Sequence, residues 1–398
     1  MNIKINYIAY SILLLALIIT SCEKDEVLPE NIYDKELSFP DSSSTHPKNT
    51  QYQKILDDFI HTGAVGYSLM IRDQYGTWLG AEGYADIASN IKLQPAHQFQ
   101  IASISKIFTA AAIFAYADDG VLSIEDPVNK WIDKSITDKI ANANDCKIKH
   151  LLSHRSGIPD YYTTKFTMDQ YNEKDLELTD HDILEYIYGK KAVFDVDKTY
   201  EYSNTNYLLL GLILEKASGL SLKEVYENKI FNPLNLKSAY YGVGKNKSPE
   251  GVVKGYYSPY SNDKYVEGKY LYNDEIGIGG DGGIAINAQD LGKFMDELMA
   301  GNVISQNSLN AMLNWFGVPI YSDDQEEVKN GYGMEYFKTD YGIAYGHTGY
   351  ISSFVSYCLY YPEKNITIVG LKNFESGSYE AYEEMVDFEE KLFDLIFE

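Results

Sequence analysis

The chain has 398 residues, of which 45% are apolar and 14% aromatic, so it can bury a large hydrophobic core and is not intrinsically disordered. Lys and Arg number 34 against 58 Asp and Glu, and the net charge of −24 would repel a phosphate backbone, so we expect no nucleic-acid partner. Arginine occurs only at Arg72 and Arg155, which leaves few candidates for a bidentate clamp on a carboxylate.

The N-terminal segment has the pattern of a bacterial lipoprotein signal peptide. Lys4 precedes an apolar run, Tyr7 to Ile19, that is too short for an ordinary membrane span. The run ends in Ile19-Thr20-Ser21-Cys22, where the Cys22 thiol would take a diacylglyceryl group. We expect residues 1–21 to be removed and Cys22 to anchor the protein in the cell envelope, on the outer membrane, facing the periplasm or the surface. The alternative is a plain secretory signal with a chance cysteine.

The segment after Cys22 is polar, contains several prolines and shows neither helical nor strand periodicity. This composition predicts a disordered tether over residues 22–50, with a root-mean-square span of roughly 30 Å. Residues 51–398 would then form one domain. Its two cysteines, Cys146 and Cys358, are too far apart in sequence to suggest a disulfide framework, and we expect free, buried thiols.

Sheet-forming sequence lies at both ends of this domain, with helical sequence between them. The predicted elements in chain order are a helix at 51–60, a hairpin of strands at 64–72 and 78–84, an apolar helix at 107–116, an apolar helix at 206–218, strands at 343–347, 352–361 and 366–371, and an amphipathic helix at 379–397. Strand edges inside a protein must be paired. The sequence therefore predicts an α+β fold, with an antiparallel sheet built from the N- and C-terminal segments, flanking helices, and an all-helical lobe at about 120–270.

A serine and a lysine three residues apart begin the most apolar helix of the domain. In Ser103-Ile104-Ser105-Lys106, residues at that spacing share a helix face, so Lys106 can reach Ser103 while Ser105 points elsewhere. A lysine whose pKa is lowered by burial can take the proton of a serine nucleophile. Ser103 is therefore the predicted nucleophile and Lys106 its base; an ordinary helix cap is the alternative. The same spacing at Ser261–Lys264 lies among turn-forming residues and is rejected.

Two further motifs follow in order. Tyr202-Ser203-Asn204 precedes an apolar helix, where the Tyr202 hydroxyl could relay a proton and Asn204 could hold a substrate amide. His347-Thr348-Gly349 ends a strand, where glycine lets a substrate backbone pair alongside. A second copy at His61-Thr62-Gly63 precedes the nucleophile, and we interpret it as a helix C-terminus.

The ordered set of motifs resembles the serine β-lactamase and D-alanyl-D-alanine carboxypeptidase superfamily, specifically its class C β-lactamase-related group, over about residues 51–396. Similar runs are Ile148–Pro159, Ile230–Leu234, Gly282–Ile284 with Asp290-Leu291, and Leu371–Asn373. The resemblance implies a β-lactamase/transpeptidase-like fold with the active site where sheet and helical lobe meet.

Roles for individual residues follow from the same resemblance. It implies that Ser103 forms an acyl-enzyme, that Lys106 and Tyr202 share the proton transfers, and that Asn204 positions the substrate. His347, with Thr348 and Gly349, would line the pocket. The backbone N–H of Tyr350 would join that of Ser103 as an oxyanion hole.

Two departures from the family pattern bear on the substrate. Most class C β-lactamases have Lys where this chain has His347, and His there resembles D-alanyl carboxypeptidases and some D-amino-acid peptidases and esterases. The carboxypeptidases also place an Arg before this motif to hold a terminal carboxylate, whereas no Arg follows Arg155 here. Either Lys329 or Lys338 replaces it, or the substrate lacks that carboxylate.

Other candidate sites have simpler interpretations. His150 and His154 have the spacing of a zinc pair but lack the glutamate that follows the first histidine, so we expect no metal and no cofactor. The glycine-rich run 277–283 lacks the Lys-Ser/Thr ending of a phosphate loop and is interpreted as a close-packed turn before a helix capped by Asn287.

The predicted function is a serine hydrolase with a small peptide or ester substrate, resembling a D-alanyl-D-alanine carboxypeptidase that acts on D-amino-acid or cell-wall peptides. An esterase or weak β-lactamase of the same fold is one alternative. A catalytically idle surface-binding lipoprotein is another, although such a protein has no physical need to keep Ser103, Lys106 and Tyr202 together.

Overall fold

The computed structural model describes residues 41–173, 177–242, 251–258, 264–270, 279–318, 328–351 and 353–398. The predicted signal peptide, the lipidation candidate Cys22 and most of the predicted tether lie outside these residues. Within the described residues, no helix is both long and apolar enough to cross a membrane.

The folded body begins before residue 51. The Ser42 hydroxyl donates to the Thr77 carbonyl at 2.6 Å and accepts from the Thr77 N–H at 2.8 Å. His46 is buried, with Nε2 3.2 Å from an Asp73 carboxylate oxygen. The predicted extent of the tether, to residue 50, was therefore wrong for residues 41–50. These polar residues have specific partners on a hairpin, which their composition alone did not reveal.

The strands form one large sheet and two small ones. In chain order they are β1 (Gly66–Asp73), β2 (Gly76–Asp86), β3 (Ile91–Lys92), β4 (Phe99–Gln100), β5 (Tyr240–Tyr241), β6 (Tyr256–Ser258), β7 (Val266–Glu267), β8 (Ile284–Ile286), β9 (Phe316–Gly317), β10 (Val328–Asn330), β11 (Glu335–Thr339), β12 (Gly342–Ile351), β13 (Phe354–Tyr361), β14 (Ile366–Lys372) and β15 (Phe374–Ser376). Among the described residues the large sheet has nine strands in the order β3-β2-β1-β14-β13-β12-β11-β10-β9, and the small ones have the orders β15-β6-β7 and β4-β8-β5.

The large sheet joins the two ends of the domain, as the sequence predicted. β1 pairs antiparallel with β14 over six residues, with Tyr67 opposite Lys372. The hairpin of β1 and β2 and the C-terminal run from β12 to β14 lie close to their predicted positions, because alternating or continuous apolar runs bounded by turns specify strands directly. The predicted α+β fold class is confirmed.

The α-helices cover both faces of the large sheet. They are α1 (Asn49–His61), α2 (Ser105–Asp118), α3 (Lys134–Thr137), α4 (Ile148–Leu152), α5 (Thr164–Asn172), α6 (Asp180–Leu184), α7 (Asn204–Ser218), α8 (Leu222–Tyr226), α9 (Ala288–Met299), α10 (Gln306–Met312) and α11 (Tyr379–Phe397). Short 3-10 helices lie at Ser43–Thr45, Ala102–Ile104, Val128–Lys130, Glu185–Ile187 and Gly268–Tyr270, and a π-helical turn at Glu227–Phe231. The lobe at about 120–270 is not wholly helical as predicted, because β5, β6 and β7 fall within it; strands of two or three residues are too short to give a periodic signal.

Two hydrophobic cores lie on opposite faces of the large sheet. One face packs against α1 and α11 through residues such as Tyr67, Ile368 and Phe388. The other packs against α2, α7 and α9, and every residue of α2 from Ser105 to Tyr116 is buried. The predicted all-round apolar helix is therefore the central helix of the larger core. Cys146 and Cys358 are buried and free, as expected.

Candidate active site

Ser103 lies in the 3-10 turn Ala102–Ile104, immediately before α2. Ala102 has a φ of +47°, a left-handed conformation that is uncommon for a residue with a side chain and often marks functional sites. Strand β12 runs directly against this turn: a Cβ on Gly349 would lie 2.2 Å from the Ile101 carbonyl oxygen. Only glycine therefore allows the strand to approach the serine so closely.

Lys106 reaches back one helical turn to Ser103. Its Nζ donates to Ser103 Oγ at 3.1 Å, to Asn204 Oδ1 at 2.9 Å and to the carbonyl oxygen of Asp281 at 3.0 Å. The contact expected from the spacing is present, whereas the Oγ of neighbouring Ser105 is buried and has no partner among the described residues. Three hydrogen bonds fix the ammonium group beside a single hydroxyl.

The environment of Lys106 suits a proton acceptor. The side chain is completely buried, and burial lowers the pKa of Lys106 from 10.5 to about 8. Three carboxylates, those of Asp281, Asp160 and Glu335, oppose part of this shift by raising the pKa. A lysine with a pKa near 8 exists partly as the neutral amine at neutral pH and can take a proton from a serine hydroxyl.

Tyr202 contacts the same serine from the other side. Its hydroxyl is hydrogen-bonded to Ser103, and its ring centre lies 5.1 Å from Lys106 Nζ. The ring also stacks on His154 at 4.4 Å between centres, which holds it in place. Burial raises the pKa of Tyr202 well above its usual value of 10, so the phenol keeps its proton at neutral pH. Tyr202 is thus suited to donate a proton, and Lys106 to accept one.

Asn204 connects the lysine to a buried carboxylate. Its Oδ1 accepts from Lys106, and its Nδ2 donates to Asp160 Oδ2 at 3.0 Å. The Asp160 carboxylate also accepts the backbone N–H of Asn204 at 3.2 Å, at the start of α7. These contacts fix the orientation of the amide and leave the second N–H of Nδ2 for a substrate group.

His347 lies on the sheet side of the site. It is buried, its ring centre lies 6.3 Å from that of Tyr202, and its Nδ1 contacts the Thr348 carbonyl and lies 3.8 Å from a Glu335 carboxylate oxygen. Burial lowers the pKa of His347 below 6.5, and Glu335 opposes this shift. The imidazole is therefore mainly neutral at pH 7 and lines the pocket without adding a positive charge.

The second half of β12 offers an open backbone edge beside the serine. β11 pairs with β12 only as far as Glu335 opposite Gly346, so residues 347–351 pair with β13 alone among the described residues. An unpaired strand edge can accept a substrate backbone as an added strand. Tyr350 is 61% exposed, and its hydroxyl donates to Glu375 at 2.7 Å.

Four residues of the site were not identified from sequence: His154, Asp160, Asp281 and Glu335. Asp160 directly follows the family-like run Ile148–Pro159, and Asp281 lies within the glycine-rich run, so their positions offered a weak signal. Asp281 supplies its carbonyl to Lys106, and its carboxylate accepts the Tyr161 hydroxyl at 2.6 Å. Nothing in the sequence pattern indicated that side chains from so many loops converge on one lysine.

The other candidate motifs lie outside the site. His61 ends α1 with Nδ1 on the Asp57 carbonyl, and Gly63 follows with a φ of +106°, so the predicted helix terminus is confirmed. In the described part of the glycine-rich run, Gly280 packs against the Tyr207 carbonyl, and Asn287 caps α9 through the Asp290 N–H, in agreement with a close-packed turn. Ser261 and the first two residues of the run, Gly277 and Ile278, lie outside the described residues.

The two histidines with zinc-ligand spacing, His150 and His154, have different structural roles. His150 Nδ1 accepts from the Lys147 N–H at 3.1 Å, which caps α4. His154 Nδ1 accepts from the Ser203 N–H and contacts Asn206 Nδ2, both at 3.2 Å, which anchors the segment that carries Tyr202. The described residues contain no cluster of three or more His, Cys, Asp or Glu that could hold a metal ion.

The basic residues considered as carboxylate ligands are placed as follows. Arg72 is bound to Asp296 and Thr367, and Arg155 donates to the Asp197 carboxylate and carbonyl, each at 2.7 Å. Lys338 lies opposite Ile343, four residues from His347 along β12, which corresponds to about 13 Å. Lys329 lies over the Tyr336 ring at 4.7 Å.

A serine hydroxyl between a buried lysine and a protonated tyrosine, beside an open strand edge, defines a serine acyl-transfer site. Over residues 52–390 the chain matches the family described as Beta-lactamase. It therefore belongs to the β-lactamase family of serine hydrolases, which confirms the superfamily suggested by the motifs.

Curated relatives and a solved structure agree with this assignment. The chain is 28% identical to penicillin-binding protein 4* of Bacillus subtilis over 78% of this chain and 70% of the relative. It is 25% identical to protein flp of Staphylococcus aureus over 83% of this chain, but it spans only 64% of that protein. The D-amino acid amidase of Ochrobactrum anthropi SV3 superposes with a TM-score of 0.73 at 24% identity, over 87% of this chain and 98% of the amidase.

Proposed function

We propose that this protein hydrolyses amide or ester bonds of small D-amino-acid derivatives or D-residue peptides through an acyl-enzyme on Ser103. The observation that carries the proposal is the contact of Lys106 Nζ with Ser103 Oγ at 3.1 Å, inside a buried network that lowers the pKa of the lysine to about 8. A binding protein would have no use for a buried lysine held in this way.

Acylation uses both neighbours of the serine. Neutral Lys106 takes the hydroxyl proton of Ser103 as Oγ bonds to the carbonyl carbon of the substrate. The carbonyl π electrons move to oxygen, and we propose that the backbone N–H groups of Ser103 and Tyr350 stabilise this oxyanion. Tyr202 donates its proton to the leaving amine as the C–N bond breaks, and the proton on Lys106 then restores the phenol.

Hydrolysis of the acyl-enzyme repeats these steps with water. Lys106 takes a proton from the water as the water oxygen attacks the ester carbon. It gives this proton to Ser103 Oγ as the ester C–O bond breaks, which releases the acid product and restores the serine hydroxyl. Asn204 keeps the lysine aligned throughout, because its amide is held by Asp160. His347 contributes a neutral wall to the pocket.

The charge of the pocket favours a substrate with a free amino group. Among the described residues, Asp160, Asp281 and Glu335 lie around Lys106, and both arginines are engaged elsewhere. Burial raises the pKa of Asp160 and Asp281, and a nearby ammonium group would favour their charged forms. A substrate ammonium group would be attracted to this surplus of carboxylates, whereas a terminal carboxylate would be repelled. This supports an amide, ester or amino-terminal peptide bond of a D-residue rather than carboxypeptidase action, in line with the D-amino acid amidase of similar fold.

We also propose, from the signal-like sequence ending at Cys22, that the protein acts in the cell envelope as a lipid-anchored enzyme on the outer membrane. Mass spectrometry of the protein extracted from membranes with detergent would detect the diacylglyceryl group on Cys22.

Covalent labelling tests the nucleophile. Intact-mass spectrometry after exposure to a fluorophosphonate should show one adduct on the wild type and on Ser105→Ala, but none on Ser103→Ala. Ser105 is the matched control because it is the neighbouring serine and makes no hydrogen bond through Oγ among the described residues. Equal labelling of Ser103→Ala, or no labelling of the wild type, would refute the proposed mechanism.

A substrate panel tests the chemical class. D-phenylalanine amide should be cleaved at least about tenfold more efficiently than its N-acetyl derivative, which has no ammonium group. A tripeptide ending in D-alanyl-D-alanine and a chromogenic cephalosporin should be poor substrates, and a p-nitrophenyl ester should be cleaved. Fast release of the terminal D-alanine would support a carboxypeptidase instead, and fast cephalosporin turnover would support a β-lactamase.

A further inference from the structure

A cavity of about 480 Å³ lies on the sheet face opposite to the Ser103 site. Lys372, at the end of β14, points into it, and this residue pairs across the sheet with Tyr67 and Val355. Tyr67 belongs to the core under α1 and α11, whereas Leu371, the residue before Lys372, belongs to the core under α2. Lys372 therefore lies on the face of the sheet opposite to the core under α2, and Tyr350, whose backbone N–H belongs to the proposed oxyanion hole, also lines the cavity.

Lys372 is a buried lysine that makes no direct ion pair among the described residues. Its side chain is 7% exposed, its Nζ contacts the Met385 sulfur, and it lies 5.0 Å from the centre of the Phe374 ring. Among the described residues no carboxylate oxygen lies within 4.0 Å of this Nζ. Burial lowers the pKa of Lys372 to about 8, and the nearby carboxylates of Glu389 and Glu375 oppose this shift, so the side chain is still mostly charged at pH 7. Because no carboxylate of the described residues touches Nζ, a ligand carboxylate in direct contact would stabilise this buried charge further.

The remaining walls of the cavity combine apolar and acidic groups. Phe59, Phe374 and Met385 provide apolar surface. Glu380 and Glu384, on the first turns of α11, line the same cavity, as does Glu375, whose carboxylate accepts the Tyr350 hydroxyl. A simple anion would be attracted by Lys372 but repelled by these glutamates. A ligand that carries a carboxylate and an ammonium group satisfies both.

We propose that this cavity is a binding site for a small zwitterion with an apolar side chain, that is, a free amino acid or a dipeptide. The ligand carboxylate pairs with Lys372, the apolar side chain packs against Phe59, Phe374 and Met385, and the ammonium group faces the glutamates. A volume of about 480 Å³ lies within the usual range of small-molecule pockets, roughly 300–1,000 Å³. The site does not depend on the proposed hydrolase activity.

Isothermal titration calorimetry with three related probes tests both charges. D-phenylalanine should bind the wild type, while 3-phenylpropionate, which lacks the amine, and phenethylamine, which lacks the carboxylate, should each bind at least about tenfold more weakly. L-phenylalanine shows whether the cavity distinguishes the two enantiomers, and binding of either one supports the proposal. Equal binding of all the probes would overturn it, as would the absence of any binding of either phenylalanine.

Three variants locate the binding. Lys372→Met keeps the length of the side chain and removes the charge, and it should weaken D-phenylalanine binding at least about tenfold. Lys391→Met is the matched control, since Lys391 is exposed on α11 and pairs with Asp387 outside the cavity. Lys106→Met removes the charge of the catalytic site and should leave binding unchanged. Binding that Lys106→Met abolishes and Lys372→Met spares would belong to the catalytic site and would overturn the proposal.

A further variant, at another residue of the cavity, keeps the test valid if Lys372→Met does not fold. Ala381, in the first turn of α11, lines the cavity with an uncharged side chain, and Ala381→Trp fills the space. This variant should bind D-phenylalanine at least about tenfold more weakly while its thermal unfolding without ligand stays close to that of the wild type. Unchanged binding by a folded Ala381→Trp protein would contradict the site.

Discussion

Each face of the large sheet buries a lysine, Lys106 or Lys372, and burial lowers the pKa of both from 10.5 to about 8. Lys106 is held by three hydrogen bonds to oxygen atoms, one of them on the Ser103 hydroxyl. Lys372 contacts a thioether and an aromatic ring, and its Nζ donates to no hydroxyl group among the described residues. The same shift in pKa therefore accompanies two different chemical settings.

A lowered lysine pKa is thus insufficient to identify a catalytic base. Burial alone produces the shift, whereas catalysis also requires a hydroxyl within hydrogen-bonding distance and a fixed approach. Lys106 meets both conditions because α2, α7 and the segment at Asp281 converge on its ammonium group. Lys372 meets neither, and its geometry favours ligand binding.

The largest expected difference between the two lysines is in turnover. Lys106→Met should lower kcat/KM on the best substrate by about 10³-fold or more, because it removes the base that activates the nucleophile. Lys372→Met should stay within about threefold of the wild type, because the sheet separates it from the serine. Steady-state assays of both variants provide the measurement. Similar losses of kcat/KM in the two would show that Lys372 takes part in catalysis.

A smaller loss is expected for the proton donor. Tyr202→Phe should lower kcat on an amide by about 10²-fold, within the usual range for removing a general acid. The loss on a p-nitrophenyl ester should be clearly smaller, since p-nitrophenolate leaves without a proton. The ester thus serves as an internal control for folding. An equal loss on both substrates would indicate that Tyr202 acts on the Ser103 proton instead.

The two lysine variants should also differ in stability. A lysine whose folded pKa lies below its unfolded pKa destabilises the protein at pH 7, and this penalty disappears as the pH rises above the unfolded value of 10.5. Lys372→Met should therefore raise the free energy of unfolding at pH 7 by about 1–2 kcal/mol, a gain that is limited because the buried Glu389 loses the attraction of this cation.

Lys106→Met should raise the free energy of unfolding by less, because it leaves the Asn204 and Asp281 oxygens without their hydrogen-bond donor. Urea denaturation followed by circular dichroism at pH 7 and pH 10 measures both changes. A larger gain for Lys106→Met than for Lys372→Met would contradict this account.

The smallest expected effect is on the pH dependence of turnover. Because the neutral form of Lys106 is the active one, kcat/KM should rise with pH and level off above about 8. Asp160 raises the pKa of this lysine, so Asp160→Asn should move the rise to lower pH. Asp340→Asn, at the exposed turn between β11 and β12, is the control and should leave the profile in place. A profile that falls with pH, or a shift in the opposite direction, would exclude Lys106 as the base.

Some helices and strands were predicted well from the sequence, and others were missed. Helix α2 and the strands near Ser352–Leu371 were predictable because long apolar runs specify them locally. β5 to β8 were missed, since strands of two or three residues gain their stability from partners distant in sequence. For the same reason residues 41–50 were assigned to a tether, although Ser42 and His46 bind the β1–β2 hairpin.

The sequence by itself determined the family, the α+β class and the order Ser103, Lys106, Tyr202 and His347, because helical spacing and motif order are local properties of the chain. Only the tertiary structure decided which groups surround them. Asp160, Asp281, Glu335 and His154 come from separate loops and strands, and burial sets the pKa of Lys106. Desolvation and charge depend on every chain segment that closes around a site, so the contrast between Lys106 and Lys372 exists only in the folded molecule.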